Sequence, residues 1–345
     1  MILRYSLILM AWLSQLNLKG SDNPEELGKV NWCRDFTEAQ NLAKQENKPI
    51  LILFQEIPGC LTCKTYGKIV LSHPLIVETI ETYFVPLAIY NNRKGKDATV
   101  LNYYNEPSWN NPVVRVVTAD KSDLQPRLNG NYTPSGLVKY MMSAMTKAGY
   151  SMPDYLPLLY DELSASEKGV EQTTLSMYCF WTGEKELGKI KGVVQTQAGF
   201  MDHQEVVNVF YDPSVVSLEE IIKEGSKSNC ADRAYVNDVF EKKKAEKTIG
   251  EKNVKNTSSF RPDKEPKYYL SKTDYRLVPM SPIQAVKINV LIGQNKSPFH
   301  LLSPRQQMMY NYLQKNKSAG WASDINDEAW QDKMYSAWEA LGSRA

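Results

Sequence analysis

The stretch Pro49-Ile50-Leu51-Ile52-Leu53-Phe54-Gln55-Glu56-Ile57-Pro58-Gly59-Cys60-Leu61-Thr62-Cys63-Lys64 runs an apolar segment directly into a Cys-x-x-Cys. Pro49 to Gln55 reads as a buried strand, and Thr62 to Leu71 as a helix opening beneath the two cysteines. The partial positive charge at a helix N-terminus favours thiolate over thiol, which makes one cysteine a nucleophile near neutral pH. A second cysteine three positions on then resolves the mixed disulfide. Zinc uses the same spacing but needs two further ligands. The chain has only three histidines, and Cys33, Cys179 and Cys230 are far apart in sequence, so a redox pair is favoured over a metal site at Cys60 and Cys63. No metal is expected, and no cofactor beyond a redox-active disulfide.

At 345 residues the chain is long enough for two or three domains, each with its own core. Its 41 lysines and arginines are offset by 39 acids and spread out, which gives no case for a nucleic-acid partner. Five cysteines are too few and too uneven for a disulfide scaffold, and the odd number leaves at least one thiol free. Arg4 and the apolar run Tyr5 to Leu13, followed by polar residues from Asn17 to Asn23, read as a secretory signal over residues 1–22. The run is too short to span a bilayer but fits the apolar core of such a signal. The other reading is an ordinary amphipathic first helix, since no small-x-small cleavage site follows. The expected destination is the periplasm or cell envelope, with the cytoplasm as alternative. No later segment is apolar enough to cross a membrane.

Glu25 to Lys48 reads as helix from the spacing of Trp32, Phe36, Ala39, Leu42 and Ala43. After the Cys-x-x-Cys, Ser72 is a candidate cap for a helix burying Leu75, Ile76, Thr79, Ile80 and Phe84, and Phe84 to Tyr90 is a second strand. Asn111-Pro112 then leads into the strand Val113 to Val117. A proline just before a buried strand, downstream of a Cys-x-x-Cys helix, resembles the thioredoxin fold over roughly residues 25–150. The resemblance implies a cis-proline loop against the dithiol, where substrate backbone pairs. By position that proline is Pro112, with Pro107 the other candidate. The interior Leu61-Thr62 departs from the family's usual Gly-Pro, which bears on redox potential more than on chemistry.

Residues 151–170, with two prolines and mixed polarity, read as a linker. A strand from Thr174 to Tyr178 then ends at Cys179, and Phe180-Trp181-Thr182-Gly183-Glu184 opens a helix, a second place where a helix terminus favours a thiolate. Tyr178-Cys179-Phe180-Trp181-Thr182-Gly183-Glu184 resembles the nucleophile motif of the A-type peptide methionine sulfoxide reductases, usually Gly-Cys-Phe-Trp-Gly. The likeness continues through Gln197-Ala198-Gly199-Phe200, His203-Gln204-Glu205-Val206-Val207 and Tyr211-Asp212-Pro213 to Glu220, about 60 residues in all. It implies that the Cys179 thiolate attacks a sulfoxide sulfur, leaving a sulfenic acid, and that Phe180 and Trp181 hold the substrate methyl group. The plain alternative makes Phe180 and Trp181 core residues and Cys179 an inert thiol.

The departures from that family are specific. Its loop carrying a catalytic glutamate is missing between Phe200 and His203, and the family tyrosine is Phe200. The family's Asn-Asp-x-Gly-Thr-Gln-Tyr is Asn229-Cys230-Ala231-Asp232-Arg233-Ala234-Tyr235, so Tyr235 keeps its place while the aspartate becomes Cys230. Glu184 or Glu205 is the candidate relocated acid. If the family geometry holds, Cys230 lies near Cys179 and resolves its sulfenic acid; otherwise it is a surface thiol.

The fold class expected is α/β and α+β: a thioredoxin-like domain (25–150), a linker (151–170), a sulfoxide-reductase-like α+β domain (171–240), a lysine-rich linker (241–265) and a helical C-terminal unit (266–345). In that last unit Ser281-Pro282 and Ser303-Pro304 each start a helix, and a third covers Asp327 to Leu341. The functional expectation is a thiol oxidoreductase acting on oxidised peptide or protein methionine, with Cys60 and Cys63 recycling Cys179 and an external thiol as a further reductant. The alternatives are a thiol-disulfide oxidoreductase acting on protein disulfides, whose second domain binds peptides, and a non-enzymatic envelope thiol or metal-binding protein.

Overall fold

Ile50–Gln55 forms strand β1 with every residue buried, as expected of an apolar run covered on both faces. In the computed structural model, which describes residues 23–316 and 329–342, the described chain divides into two units: residues 23–152 with 331–342, and residues 153–316 with 329–330. In the first, β1 pairs in parallel with β2 (Val85–Tyr90) and antiparallel with β3 (Val113–Val117), and β4 (Leu128–Asn129) closes the order β2-β1-β3-β4. One face of this sheet packs Ile50, Ile52, Phe54, Leu87, Ile89 and Val113 against Ala39 and Ala43 of α1 (Phe36–Glu46). The remaining helices of the unit are α2 (Leu61–Thr65), which continues as a wider π turn over Tyr66–Val70, then α3 (Pro74–Tyr83), α4 (Lys96–Tyr103) and α5 (Pro134–Lys147).

The long first helix expected over 25–48 is broken. Glu25–Leu27 is a short 3-10 turn, and Gly28 follows at φ 59° with its Cα against Leu71, where a Cβ would lie 2.4 Å from the carbonyl oxygen. Cys33 makes an isolated bridge to Leu87, and the helix starts only where Asp35 accepts from the N–H groups of Thr37 and Glu38. Likewise His73, not Ser72, is the capping residue of α3, with Pro74 at its first position. The five residues expected on the buried side of that segment are all buried.

In the second unit six strands follow the order β10-β6-β7-β5-β8-β9: β5 (Glu171–Ser176), β6 (Val193–Met201), β7 (Gln204–Tyr211), β8 (Arg233–Tyr235), β9 (Val254–Lys255) and β10 (Arg261–Pro262). Helices α6 (Tyr155–Lys168), α7 (Phe180–Leu187), α8 (Leu218–Lys227), α9 (Val239–Ile249), α10 (Tyr268–Ser271), α11 (Pro282–Gly293) and α12 (Pro304–Lys315) belong to it. A core of Leu175, Phe180, Leu187, Val207, Val209, Ile221 and Ile222 joins α7 and α8 to the sheet. The caps at Ser217, Ser281 and Ser303 are full capping boxes, closed by Glu220, Gln284 and Gln306.

Three expected boundaries move. The linker at 151–170 is mostly α6, because Pro157 sits in the first turn, where no donor is lost, and Leu156, Leu159 and Ala165 are buried. The linker at 241–265 is α9 followed by two short strands of the sheet, with Ala234 paired to Val254 and Arg261 to Phe200. The C-terminal helical unit is divided: α10 to α12 belong with the second sheet, and α13 (Trp330–Gly342) returns to the first unit. There the Tyr335 hydroxyl donates to Ser72 O at 3.0 Å, and the Lys29 ammonium lies 3.8 Å from the Tyr335 ring centre. Among the described residues, no helix is long and apolar enough to cross a membrane, and no group of three or more His, Cys, Asp or Glu is placed to hold a metal ion. The expected signal at 1–22 lies outside the described residues.

Candidate functional site

The first site sits where β1 ends. Gln55, fully buried, donates to Glu26 O at 2.8 Å and Cys63 O at 3.1 Å, and the Glu26 carboxylate accepts from Gly59 N at 2.7 Å, fixing the turn into α2. A Cβ on Gly59 would meet Glu56 O at 2.4 Å and Cys63 Cβ at 2.7 Å, so only glycine passes over the second cysteine here. Cys60 is exposed at the helix cap and Cys63 is buried, their sulfurs 3.7 Å apart and unbonded. Backbone N–H groups of Cys63 and Thr62, with the Cys63 thiol, hold the Cys60 thiol below its ordinary pKa. Burial, with the neighbouring Cys60, pushes the Cys63 thiol up to about 12. The pair is therefore asymmetric, with the exposed sulfur the more acidic and the buried one the less.

The Asn111–Pro112 bond is cis, and the loop it ends brings the Asn111 carboxamide oxygen to 2.7 Å from Cys63 Sγ. Pro112 thus stands beside the dithiol. Leu61, inside the Cys-x-x-Cys, and Trp109, in the loop that leads to Pro112, present apolar surface to solvent, 79% and 80% exposed.

The second site is built at the start of α7. Cys179 caps the helix and is half-buried, and Tyr178 beside it is 93% exposed. The Phe180 N–H donates to the Glu205 carboxylate at 2.9 Å. Glu205 pairs with Phe200 across β7 and β6, and Phe200 with Arg261 across β6 and β10, so the three side chains form one row on the face that carries α7. Phe180 packs against Phe200 with ring centres 5.2 Å apart, and the Arg261 guanidinium lies 4.4 Å from the Phe200 ring centre. Trp181 stacks on Tyr268 at 3.9 Å and donates to Asp263 at 3.4 Å. An open cavity of about 500 Å³ adjoins this wall, bounded by Phe200, His203, Ser258 and Arg261.

Cys230 is buried, its thiol 3.3 Å from Ser228 O and not bonded to another sulfur. Burial pushes it up to about 11, helped by Glu186, Asp232 and Cys179. Two expected participants stand elsewhere. Glu184 is fully buried: its carboxylate accepts from Lys267 N at 2.8 Å, Lys267 Nζ at 2.9 Å and Thr196 Oγ1 at 3.1 Å, leaving nothing for a substrate. Tyr235 packs with Met201, Val206 and Phe260, while its neighbour Ala234 faces the core that holds Phe180. Strand alternation therefore turns Tyr235 to the other side of the sheet. Arg261 and Asp263 do not stand out in the sequence because the polar run around them reads as linker, and Tyr268 because it falls at the start of the expected helical unit. The aromatic residues Phe260, Tyr268 and Tyr269 are the signal that this stretch packs on the domain.

Residues 31–119 match a family model described as thioredoxin-like. The peptide methionine sulfoxide reductase MsrA 1 of Nostoc sp. is 32% identical over 78 residues, 18% of this chain and 48% of that protein. MsrA of Geobacter metallireducens is 35% identical over 71 residues, 16% of this chain and 44% of that one. The MsrA/MsrB protein of Vibrio cholerae is 29% identical over 104 residues, 25% of this chain and 27% of that one. The chain thus spans about half, or less, of the length of these curated relatives. A solved DsbH oxidoreductase aligns at 17% identity and a TM-score of 0.30, over 36% of this chain and 91% of its own. In this chain a thioredoxin-like domain is joined to a segment similar to part of the A-type peptide methionine sulfoxide reductases.

Proposed function

We propose that the protein reduces methionine sulfoxide in peptides or proteins, with Cys179 as the attacking thiolate and the Cys60/Cys63 dithiol as its reductant. The observation that carries this reading is the setting of Cys179: half-buried at a helix cap, beside the wall of Phe180, Trp181, Phe200 and Tyr268. An aromatic wall suits a soft, methylated sulfur. The Cys179 thiolate attacks the sulfoxide sulfur; the oxygen passes to Cys179 with one proton, giving a sulfenic acid, and the reduced thioether leaves. The Cys230 thiol condenses with that sulfenic acid to a disulfide and water. Cys60 thiolate then attacks the disulfide, and Cys63 displaces the mixed disulfide and returns both cysteines of the second site to thiols.

Two of the family's proton donors have no counterpart. Carboxyl groups nonetheless stand at the site, Glu205 on the Phe180 amide and Asp263 on the Trp181 indole, and Arg261 supplies a permanent positive charge for the sulfoxide oxygen. The reading needs no bound cofactor, and it keeps export to the cell envelope as part of the proposal. The test is turnover of methionine sulfoxide with dithiothreitol. Cys179→Ser should abolish it, and full activity in that variant sinks the reading.

A second reading, a thiol-disulfide oxidoreductase acting on protein disulfides, is favoured by the apolar surface of Leu61 and Trp109 beside Cys60. It requires insulin-type disulfide reduction that depends on Cys60, with no sulfoxide turnover.

A further inference from the structure

We propose that Asn111 is the residue that sets the balance between dithiol and disulfide at Cys60 and Cys63. Its carboxamide oxygen accepts a hydrogen bond from the Cys63 thiol at 2.7 Å, and its amide nitrogen is left with only a 3.5 Å contact to Ser108 O. The contact to Cys63 is thus the side chain's principal bond.

The bond exists in one redox state only. In the dithiol, Cys63 carries the proton that Asn111 accepts. Oxidation by glutathione disulfide consumes both thiols: Cys60–SH and Cys63–SH become one S–S bond, and two molecules of reduced glutathione leave with the two protons. Cys63 then has nothing to donate, and the Asn111 oxygen faces a sulfur that cannot answer it. A half-buried acceptor that loses its donor loses the net worth of that hydrogen bond. Asn111 therefore stabilises the dithiol and makes the pair a weaker reductant than the same motif with an apolar residue at this position. The side chain touches a reacting atom directly, and Cys63 is buried, so water does not substitute for it.

The inference rests on the dithiol being redox-active, as the proposed function requires. The full chain, and its Asn111→Leu and Asn111→Asp variants, are equilibrated with glutathione redox buffers, and the peptide carrying Cys60 and Cys63 is scored by alkylation and mass spectrometry. Asn111→Leu removes the acceptor and should shift the equilibrium toward disulfide by roughly three- to tenfold, the worth of one hydrogen bond. Tenfold corresponds to about 30 mV for this two-electron couple. Asn111→Asp, close to isosteric, offers a charged acceptor and should shift it the opposite way. Opposite signs separate this role from a purely structural one. A titrating wild-type pair with any other pattern in the variants overturns the role of Asn111 alone. A wild-type pair that glutathione disulfide never oxidises overturns the proposed function along with it.

Discussion

The Phe180 N–H donates to the Glu205 carboxylate at 2.9 Å, so the residue that follows Cys179 is tied to the middle of the sheet by a charged hydrogen bond. Such bonds contribute about 1.5–3 kcal/mol. Here the bond aims the first turn of α7, and with it the sulfur of Cys179.

Replacing that carboxylate should misaim the Cys179 sulfur. Glu205→Ala is expected to lower kcat/KM for methionine sulfoxide roughly tenfold or more. Reduction of insulin disulfides by Cys60 should change less than twofold (about 0.4 kcal/mol). Equal loss in both assays would point to general unfolding instead.

The Glu184–Lys267 pair is buried on both sides, at 0% and 2% side-chain exposure, and Lys267 also donates to Thr196 O. Lys267→Met leaves a buried carboxylate without its cation and should cost about 3–5 kcal/mol. Glu184→Leu combined with Lys267→Met should recover most of that loss. Urea denaturation of the three proteins checks both statements.

The buried His73 and the half-buried Glu162 should give the units opposite pH responses. Burial holds His73 neutral in the folded state down to about pH 4, while an unfolded histidine takes up its proton near 6.5. Between those values the unfolded chain binds more protons, so the first unit loses stability as pH falls. Burial keeps Glu162 protonated up to about pH 7, against 4.5 unfolded, so the second unit loses stability as pH rises through that window. Each full swing amounts to about 3 kcal/mol. Denaturant melts across pH 4–8 should show an acid limb removed in His73→Gln and an alkaline limb removed in Glu162→Gln.

Thiol reactivity should separate the cysteines. Cys60 is exposed and held below its ordinary pKa, whereas burial pushes Cys33 and Cys230 to about 11 and Cys63 to about 12. Brief iodoacetamide treatment at pH 7 should therefore modify Cys60 while sparing Cys33, Cys63 and Cys230. Peptide mapping by mass spectrometry reads this directly, and equal labelling of Cys63 would contradict the asymmetry.

Both cysteine sites are legible in the sequence, because each is local: a strand, a cysteine and a helix that follow one another directly. Pro112 is legible for the same reason, through its place before β3. What escapes is whatever a distant partner decides. Strands of two residues, such as Val254–Lys255 and Arg261–Pro262, carry no alternation to read, and only pairing with β8 and β6 makes them strands. Arg261 is invisible as a site residue on that account. Glu184 misleads in the opposite sense, since its closeness to Cys179 in sequence says nothing of Lys267, 83 residues on, which claims its charge.

Helix α13 packs on the first unit although the whole second unit lies between it and the rest of that fold. During synthesis the Cys60/Cys63 dithiol therefore leaves the ribosome before the second unit, while the helix that covers Ser72 and Lys29 follows only after it. A nascent chain carries a reactive thiol on an uncapped domain for the time taken to translate more than half the protein. A chain truncated after the second unit would preserve that immature state, and should expose the surface that Met334, Ala337 and Trp338 otherwise bury.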